Sequence, residues 1–459
     1  MKYDVIIVGA GPSGIFTALE LAKKKGIRIL LLEKGRELKE RIKLIKNAEC
    51  RVQSTESEPS PTISGWGGAG AFSDGKLTLS SDVGGFLYRY LDQGELTELI
   101  KYVDKCYVHY GAPDKTYGSN TAEIERLKTK AARNNLKLIP TRIRHIGTDR
   151  CPEVLQNFKN GLKGKVEIKF NTNVKTIIKN GSKIAGIATE EGREFISDFV
   201  VLSPGRGGAG WLDGECRRIG LTTLINPVDI GVRVELPAAT LSSVTDAVYE
   251  PKLLFYSKQF DDQVRTFCVN PYGAVVQEFN DGIFTVNGHS YTKRKSDNTN
   301  FAILVSTTFT KPFNEPISYG KYVARLANFL SDGIIVQRLG DLLKGRRSTA
   351  DRIKRGIVTP TLKTATPGDL SFVLPYRFLA DILEMMESLD KFAPGICSGH
   401  TLLYGIEVKF YSLRLKLTKS LETEVKNLFA VGDGAGVSRG LIQASASGVI
   451  AAREILKRF

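Results

Sequence analysis

Tyr3-Asp-Val-Ile-Ile-Val8-Gly9-Ala-Gly11-Pro12-Ser13-Gly14, continuing through Ile15 to Lys25, decides the fold of this chain. Residues 3–8 form a short apolar, β-branched run, which reads as a buried parallel strand. The glycine turn 9–14 follows it, and then a helical pattern that Gly26 ends. Arg28 to Leu32 give a second strand, closed by Glu33 and Lys34. A strand–turn–helix–strand unit of about thirty residues is the frame on which a dinucleotide sits. Gly9 allows the tight turn, Gly11 lets a pyrophosphate approach the backbone, and Gly14 permits close helix–strand packing. The pyrophosphate would meet free N–H groups at the helix N-terminus, where the dipole favours negative charge. Glu33, nineteen residues after Gly14, suits ribose hydroxyls. An acid at that position points to an unphosphorylated ribose, hence FAD or NAD rather than NADP.

Outward from this unit comes a second glycine cluster, Ser64-Gly-Trp66-Gly67-Gly68-Ala69-Gly70-Ala-Phe72-Ser73-Asp74-Gly75-Lys76-Leu77. Trp66 and Phe72 argue against a flexible linker, so the loop is expected to wrap the cofactor near its isoalloxazine. Its cofactor-binding candidates are Gly67, Gly68, Ala69, Gly70, Ser73, Asp74 and Gly75. Helical apolar spacing marks 94–110 and 121–135. From Glu153 a helix leads into a strand over Lys165–Phe170. Alternating runs at 173–178, 183–189 and 193–196 follow, separated by Asn180-Gly181 and Glu191-Gly192, both hairpin turns. Val174 opens this meander as a further cofactor candidate. Asp198 to Leu202 then reads as a separate buried strand delivering Ser203, Pro204 and Gly205 to the site. Gly205-Arg206-Gly207-Gly-Ala-Gly210 repeats the glycine spacing, but no strand with a terminal acid follows it, so a close turn at the FAD edge is preferred to an NAD site.

Residues 211–404 look different: strand-rich, with an amphipathic helix near Tyr376 to Leu389. The chain then returns to the first pattern. Asn427-Leu-Phe-Ala-Val431-Gly432-Asp433-Gly-Ala-Gly436 is a strand feeding a glycine turn, and Leu441 to Phe459 is a helix with small residues on its packing side. Asp433 would bond ribitol or pyrophosphate hydroxyls, with Gly432, Gly440 and Leu441 beside the cofactor. The fold class is therefore α/β: a Rossmann-like FAD-binding domain with parallel sheet and β-meander, and a strand-rich α+β substrate domain. The expected boundaries are 1–82, 150–210 and 405–459 for the FAD-binding domain, 83–149 for a helical insertion, and 211–404 for the substrate domain.

Gly9 to Gly14 with Glu33, together with Val431-Gly432-Asp433, resemble the FAD domain shared by glutathione-reductase-like flavoproteins. More narrowly, the loop Gly65 to Leu77, Ser203-Pro-Gly-Arg206, Leu403-Tyr404-Gly-Ile-Glu407-Val-Lys409-Phe-Tyr411 and Gly432 to Gly436 are similar to bacterial and archaeal FAD-dependent dehydrogenases of unknown substrate. That resemblance spans nearly the whole chain and implies a noncovalent FAD and an NAD(P)/FAD-dependent oxidoreductase. NAD(P)H is open as a transient electron donor. For catalysis, Tyr404, Glu407, Lys409 and Tyr411 are candidates because they crowd one short string ahead of the last FAD strand. In an extended string Glu407, Lys409 and Tyr411 share one face and Tyr404 takes the other. His289 is a second candidate base. Arg206 and Arg439 flank glycine turns, where either would neutralise phosphate or reduced flavin. The reading is a dehydrogenase or reductase acting on a small organic molecule, with a flavin monooxygenase or a tRNA-modifying flavoprotein as alternatives.

Composition limits these readings. The 459 residues exceed one ordinary core. Six cysteines, none in a CxxC pair, are expected as free thiols, which removes the dithiol of disulfide reductases. Four histidines without clustered cysteines argue against a metal site. A net charge of +16 invites an anionic partner, and the positive residues are densest over Lys344 to Arg355. No nucleic-acid-binding module accompanies them, so nucleic acid is not expected as a partner. The most apolar segment, Val5 to Ala22, is interrupted by glycines, Pro12 and Glu20, so no membrane span or leader is expected and the location reads as cytoplasmic.

Overall fold

A strand without polar alternation must be covered on both faces, and the opening run is. In the computed structural model, Lys2–Val8 lies between Ile29–Leu32 and Glu194–Leu202, parallel to both, with Val5, Ile6 and Ile7 fully enclosed. The structure describes residues 2–48, 63–73, 75–224, 226–280, 282–290, 295–310, 312–313, 315–410 and 414–459. The chain divides into two compact units, one of residues 1–115, 144–226 and 412–459, the other of residues 116–143 and 227–411.

The first unit is built on a seven-stranded sheet. Its order runs Val166–Lys169, Ile29–Leu32, Lys2–Val8, Glu194–Leu202, Lys183–Thr189, Val174–Asn180, with Leu428–Ala430 pairing parallel to Glu194–Leu202. The helices Pro12–Leu21 and Leu441–Lys457 pack on each other, and Gly448 meets the Ser13 carbonyl with no room for a side chain. One sequence expectation changes. The third meander strand and the buried strand after it are a single nine-residue strand, Glu194–Leu202. Residues Glu194 to Ile196 pair antiparallel with the meander, and from Ile196 on the same strand pairs parallel with Lys2–Val8. Nothing between Ile196 and Asp198 breaks the chain, and Ser197 bridges locally, its hydroxyl donating to the carbonyls of Asp4 and Phe199 at 3.0 and 2.7 Å.

The second unit carries an eight-stranded sheet. Its order is Thr366–Pro367, Ile335–Arg338, Leu402–Lys409, Val228–Pro237, Asn298–Thr307, Gln263–Asn270, Lys252–Tyr256, Lys137–Ile139. The segment expected as an insertion over 83–149 is shared between the units. Helix Gln93–His109 belongs to the first, whereas Thr121–Ala132 belongs to the second, because Lys137–Ile139 after it pairs with Lys252–Tyr256. Likewise Leu402–Lys409 is an interior strand of the second unit's sheet, so that unit runs past residue 404 to 411.

Val228–Pro237 alternates strictly. Val228, Ile230, Val232, Val234 and Leu236 join Phe301, Ile303, Val305 and helix Tyr376–Phe392 in an apolar core. The other face presents Asp229, Arg233 and Glu235, all fully buried. Among the described residues no helix is long and apolar enough to cross a membrane, no group of three metal-ligating side chains occurs, and the five described cysteines are free thiols.

Candidate functional site

In the first unit one cavity gathers the glycine turns. It is lined by Gly9, Gly11, Pro12, Ser13, Glu33, Lys34, Gly68, Ala69, Gly70, Ser73, Val174, Ser203, Pro204, Gly205, Asp433, Gly440 and Leu441, all expected from sequence. Gly14, Gly67, Gly75 and Gly432 do not line it. A side chain on Gly14 would collide with the Gly9 carbonyl, as its packing role requires. Asp74 lies outside the described residues. Gly11 is the opposite case: a Cβ there meets nothing within 4 Å, so bare backbone borders the open cavity.

Two helices aim their N-termini here. Pro12–Leu21 starts at Gly11 and Leu441–Lys457 at Gly440, and neither start has a side-chain cap. First-turn N–H groups without caps, at the positive end of a helix dipole, form an anion site. Lys34, Lys76, Arg206 and Arg439 add cations around the lining. Glu33 makes contacts that its spacing did not announce. Its carboxylate accepts from the backbone N–H of Ala10 (2.7 Å), Gly35 (2.8 Å) and Gly65 (3.0 Å), stitching three turns together.

Sequence reasoning missed what shapes the loop over Gly65–Leu77. Arg41, fully buried on helix Leu38–Ala48, donates to the carbonyls of Trp66 (2.5 Å) and Gly68 (2.9 Å) and lies 4.8 Å over the Phe72 ring. Burial lowers its guanidinium to about 10, while Glu33 favours the charge. Trp66 is buried and donates its indole N–H to the Leu155 carbonyl at 2.8 Å. A lone basic residue on a surface-patterned helix gives no sign of such a role. Trp211, Thr172 and Asn173 also line the cavity without having been singled out.

At the C-terminal turn Asp433 accepts from the Ser438 hydroxyl at 2.6 Å, with Arg206 3.7 Å away. Burial pushes its carboxyl above the usual range, opposed by Arg206, Ser438 and Arg439. The Ser203 hydroxyl donates to the carbonyls of Val8 and Gly9 at 2.9 and 2.7 Å, fixing the turn from below. Gly205, Gly207 and Gly208 border the same cavity, so the second glycine cluster shares the site of the first.

The catalytic candidates lie in the second unit. Glu407 is fully buried and held by Arg233 through two bonds of 2.7 and 2.9 Å, with Lys409 2.9 Å from the same carboxylate. Burial alone would raise its carboxyl; Arg233 and Lys409 overcome that and hold it below the usual range. Tyr404 donates its hydroxyl to Glu235 at 2.5 Å, and burial keeps this phenol well above its ordinary pKa. Glu235 also accepts from Thr361 and Asn298 at 2.6 and 3.0 Å, and burial raises its carboxyl. Tyr404 and Glu407 therefore share a face, against the expected alternation. Arg233 pairs with Tyr404 but Gly231 with Glu407, so the strand carries one extra residue and its parity flips. His289 ends Ile283–His289, a strand whose Asn287 accepts from Arg233 at 3.4 Å. Tyr411 lies outside the described residues.

Residues 227–410, nearly the long segment of the second unit, match the family described as FAD-dependent protein, C-terminal domain-like, and residues 4–41 match FAD dependent oxidoreductase. An "Uncharacterized protein" of Clostridium beijerinckii is 29% identical, over 100% of this chain and 82% of its own length. L-proline dehydrogenase from P. horikoshii is similar at 14% identity and a TM-score of 0.42, over 100% of this chain and 94% of that one. Glycine oxidase from Bacillus cereus is similar at 15% and 0.36, over 100% and 96%. The two family matches make the protein an FAD-dependent oxidoreductase, an enzyme whose cofactor is FAD.

Proposed function

We propose that the cavity of the first unit holds FAD noncovalently, its pyrophosphate on the N-termini of Pro12–Leu21 and Leu441–Lys457. The enzyme then moves a hydride or electrons between this flavin and a small organic substrate. The observation that carries the proposal is the pair of uncapped helix starts opening onto one glycine-floored cavity. Bound FAD supplies hydride or single-electron exchange at its ring system. The protein supplies the rest. Gly11 admits the phosphates, Glu33 fixes the turns and meets a ribose hydroxyl, and Asp433 meets hydroxyls at the far turn. Arg206 and Arg439 balance negative charge. The sharing of one cavity by both glycine clusters supports a single dinucleotide, with NAD(P)H as a transient donor only.

Gly11→Ala tests this. Gly11 has φ −75° and ψ −178°, which alanine adopts freely, and its added methyl meets no protein atom. The expected outcome is an apoprotein stable to within about 0.5 kcal/mol of the parent but with FAD affinity at least about tenfold weaker, read by flavin absorbance of the desalted protein. A purified parent chain without flavin absorbance that takes up no added FAD would sink the proposal.

A further inference from the structure

The densest basic stretch of the chain, Lys344 to Arg355, folds into one knuckle at the end of a strand in the second unit. Strand Ile335–Arg338 runs into the short helix Leu339–Leu342, and the chain then turns through Leu343-Lys344-Gly345-Arg346-Arg347, five consecutive exposed residues. Gly345 takes a left-handed φ of 61° in this turn. A second short helix, Ala350–Lys354, follows it. Buried Asp341 ties turn and helix together. It accepts from Arg346 and from the Ser348 hydroxyl, both at 2.9 Å, and Arg352 lies 4.0 Å away. Arg352 also donates to the Arg347 carbonyl at 2.9 Å, which holds the helix against the turn. Gly340 packs on Gly399, and Gly356 on the neighbouring His400, so the chain leading to Leu343 and the chain leading to Ile357 meet at one place. Ile353 and Val358 join Val336 and Leu402 in an apolar cluster that fixes the knuckle on the sheet.

Between Arg338 and Ile357 seven cations stand against two carboxylates, Asp341 and Asp351. Asp341 is enclosed, and Asp369 nearby is taken up by Gln337 and Ser371. Lys344 and Arg347 make no side-chain hydrogen bond or ion pair among the described residues. Set among these cations are two bare apolar side chains, Leu343 at 61% and Ile357 at 68% exposure. Cations alone would suit any polyanion. Large exposed apolar groups among them suit a surface that is anionic outside and apolar just beneath, which describes a bilayer with anionic headgroups. Single-stranded nucleic acid is gripped by aromatic rings on which bases stack, and the segment from Arg338 to Ile357 contains none.

We infer that this knuckle docks the protein on a bilayer surface containing anionic phospholipid. Lys344, Arg347, Lys354 and Arg355 lie among the headgroups, with Leu343 and Ile357 inserted below them. The contact is peripheral, since no described helix is long and apolar enough to cross a membrane. It stands independently of the flavin reading.

The test is co-sedimentation of the full-length protein with vesicles of phosphatidylcholine alone or mixed equally with phosphatidylglycerol. The protein is expected to sediment with the mixed vesicles only, and to be released at high salt. Lys344→Gln/Arg347→Gln should weaken partition about fivefold for each cation removed. Leu343→Ser/Ile357→Ser, which leaves the charge intact, should weaken it at least about threefold. Lys163→Gln/Lys165→Gln removes the same charge from exposed positions of the first unit and should leave partition within about twofold of the parent. All the replaced side chains are exposed, so each variant keeps its fold. No sedimentation with mixed vesicles, an unchanged Leu343/Ile357 variant, or an equal loss in the Lys163/Lys165 variant would overturn the inference. Polyuridylate is run beside the vesicles. Protein that binds it and no vesicle assigns the surface to nucleic acid and overturns the inference as well.

Discussion

The two units solve opposite problems with opposite materials. The cavity of the first is made largely of backbone: glycines, peptide N–H groups and two helix starts, with a few long cations at its border. The polar face of the second is made of side chains: Arg233, Glu235, Tyr404 and Glu407 are all fully buried, Arg233 bonded to Glu407 and Tyr404 to Glu235. A backbone site accepts a constant group, since phosphates look alike in every nucleotide. A side-chain site is changed by single substitutions, which is how a substrate surface acquires its own chemistry. The difference teaches where each unit is vulnerable.

The largest effect is expected on the side-chain face. Arg233→Met leaves Glu407 in the interior with Lys409 alone, and losing one partner of a buried pair destabilises by about 3–5 kcal/mol. The double substitution Arg233→Met/Glu407→Leu should be markedly less damaging, because no uncompensated charge remains. Urea denaturation of the three proteins checks this; a double variant worse than the single one would mean that the pair contributes net stability.

A smaller effect is expected where the backbone cavity depends on one side chain. Arg41→Met removes the donors to the Trp66 and Gly68 carbonyls. With about 1–3 kcal/mol for each buried acceptor left unpaired, a loss of about 2–6 kcal/mol is expected, together with lower flavin retention after desalting. Unchanged flavin content would show that the loop keeps its shape without Arg41.

The smallest effect separates two buried acids within the second unit. Glu407 has cations beside it, whereas Asp381 on helix Tyr376–Phe392 is lifted to about 6, chiefly by burial, with Asp262 raising it and Ser257 and Arg377 lowering it. The unfolded carboxyl titrates near about 4. The folded protein therefore favours the protonated form. That stabilisation is complete below about pH 4 and is lost as pH rises through about 6. Asp381→Asn should make the protein more stable than the parent above pH 6, by on the order of 1–2 kcal/mol, with the difference vanishing toward pH 4. Melting temperatures at pH 4.5 and 7.5 read it; an equal offset at both would refute the assignment.

Most of the lining of the first unit's cavity was legible because its signals are local. Gly9, Gly11 and Gly14 lie within six residues, and their strand and helix flank them directly. The meander was legible from its hairpin turns, but the junction at Ser197 was not. A strand that changes partner without changing conformation leaves no mark in sequence. Glu33 was read as a cavity residue and it does border the cavity, but the three backbone N–H groups from separate turns that converge on it do so only after folding.

The sequence by itself determined the dinucleotide turn, because tight turns and phosphate approach are demands on backbone conformation that only particular residues meet in particular order. Tertiary structure decided the polar face. Arg233 and Glu407 are 174 residues apart, and one extra residue between Gly231 and Arg233's partners puts Tyr404 and Glu407 on the same side. Alternation along a strand fixes only relative faces, and a bulge reverses them. Which charges meet follows from sheet register, and register is set by the whole sheet rather than by any single strand.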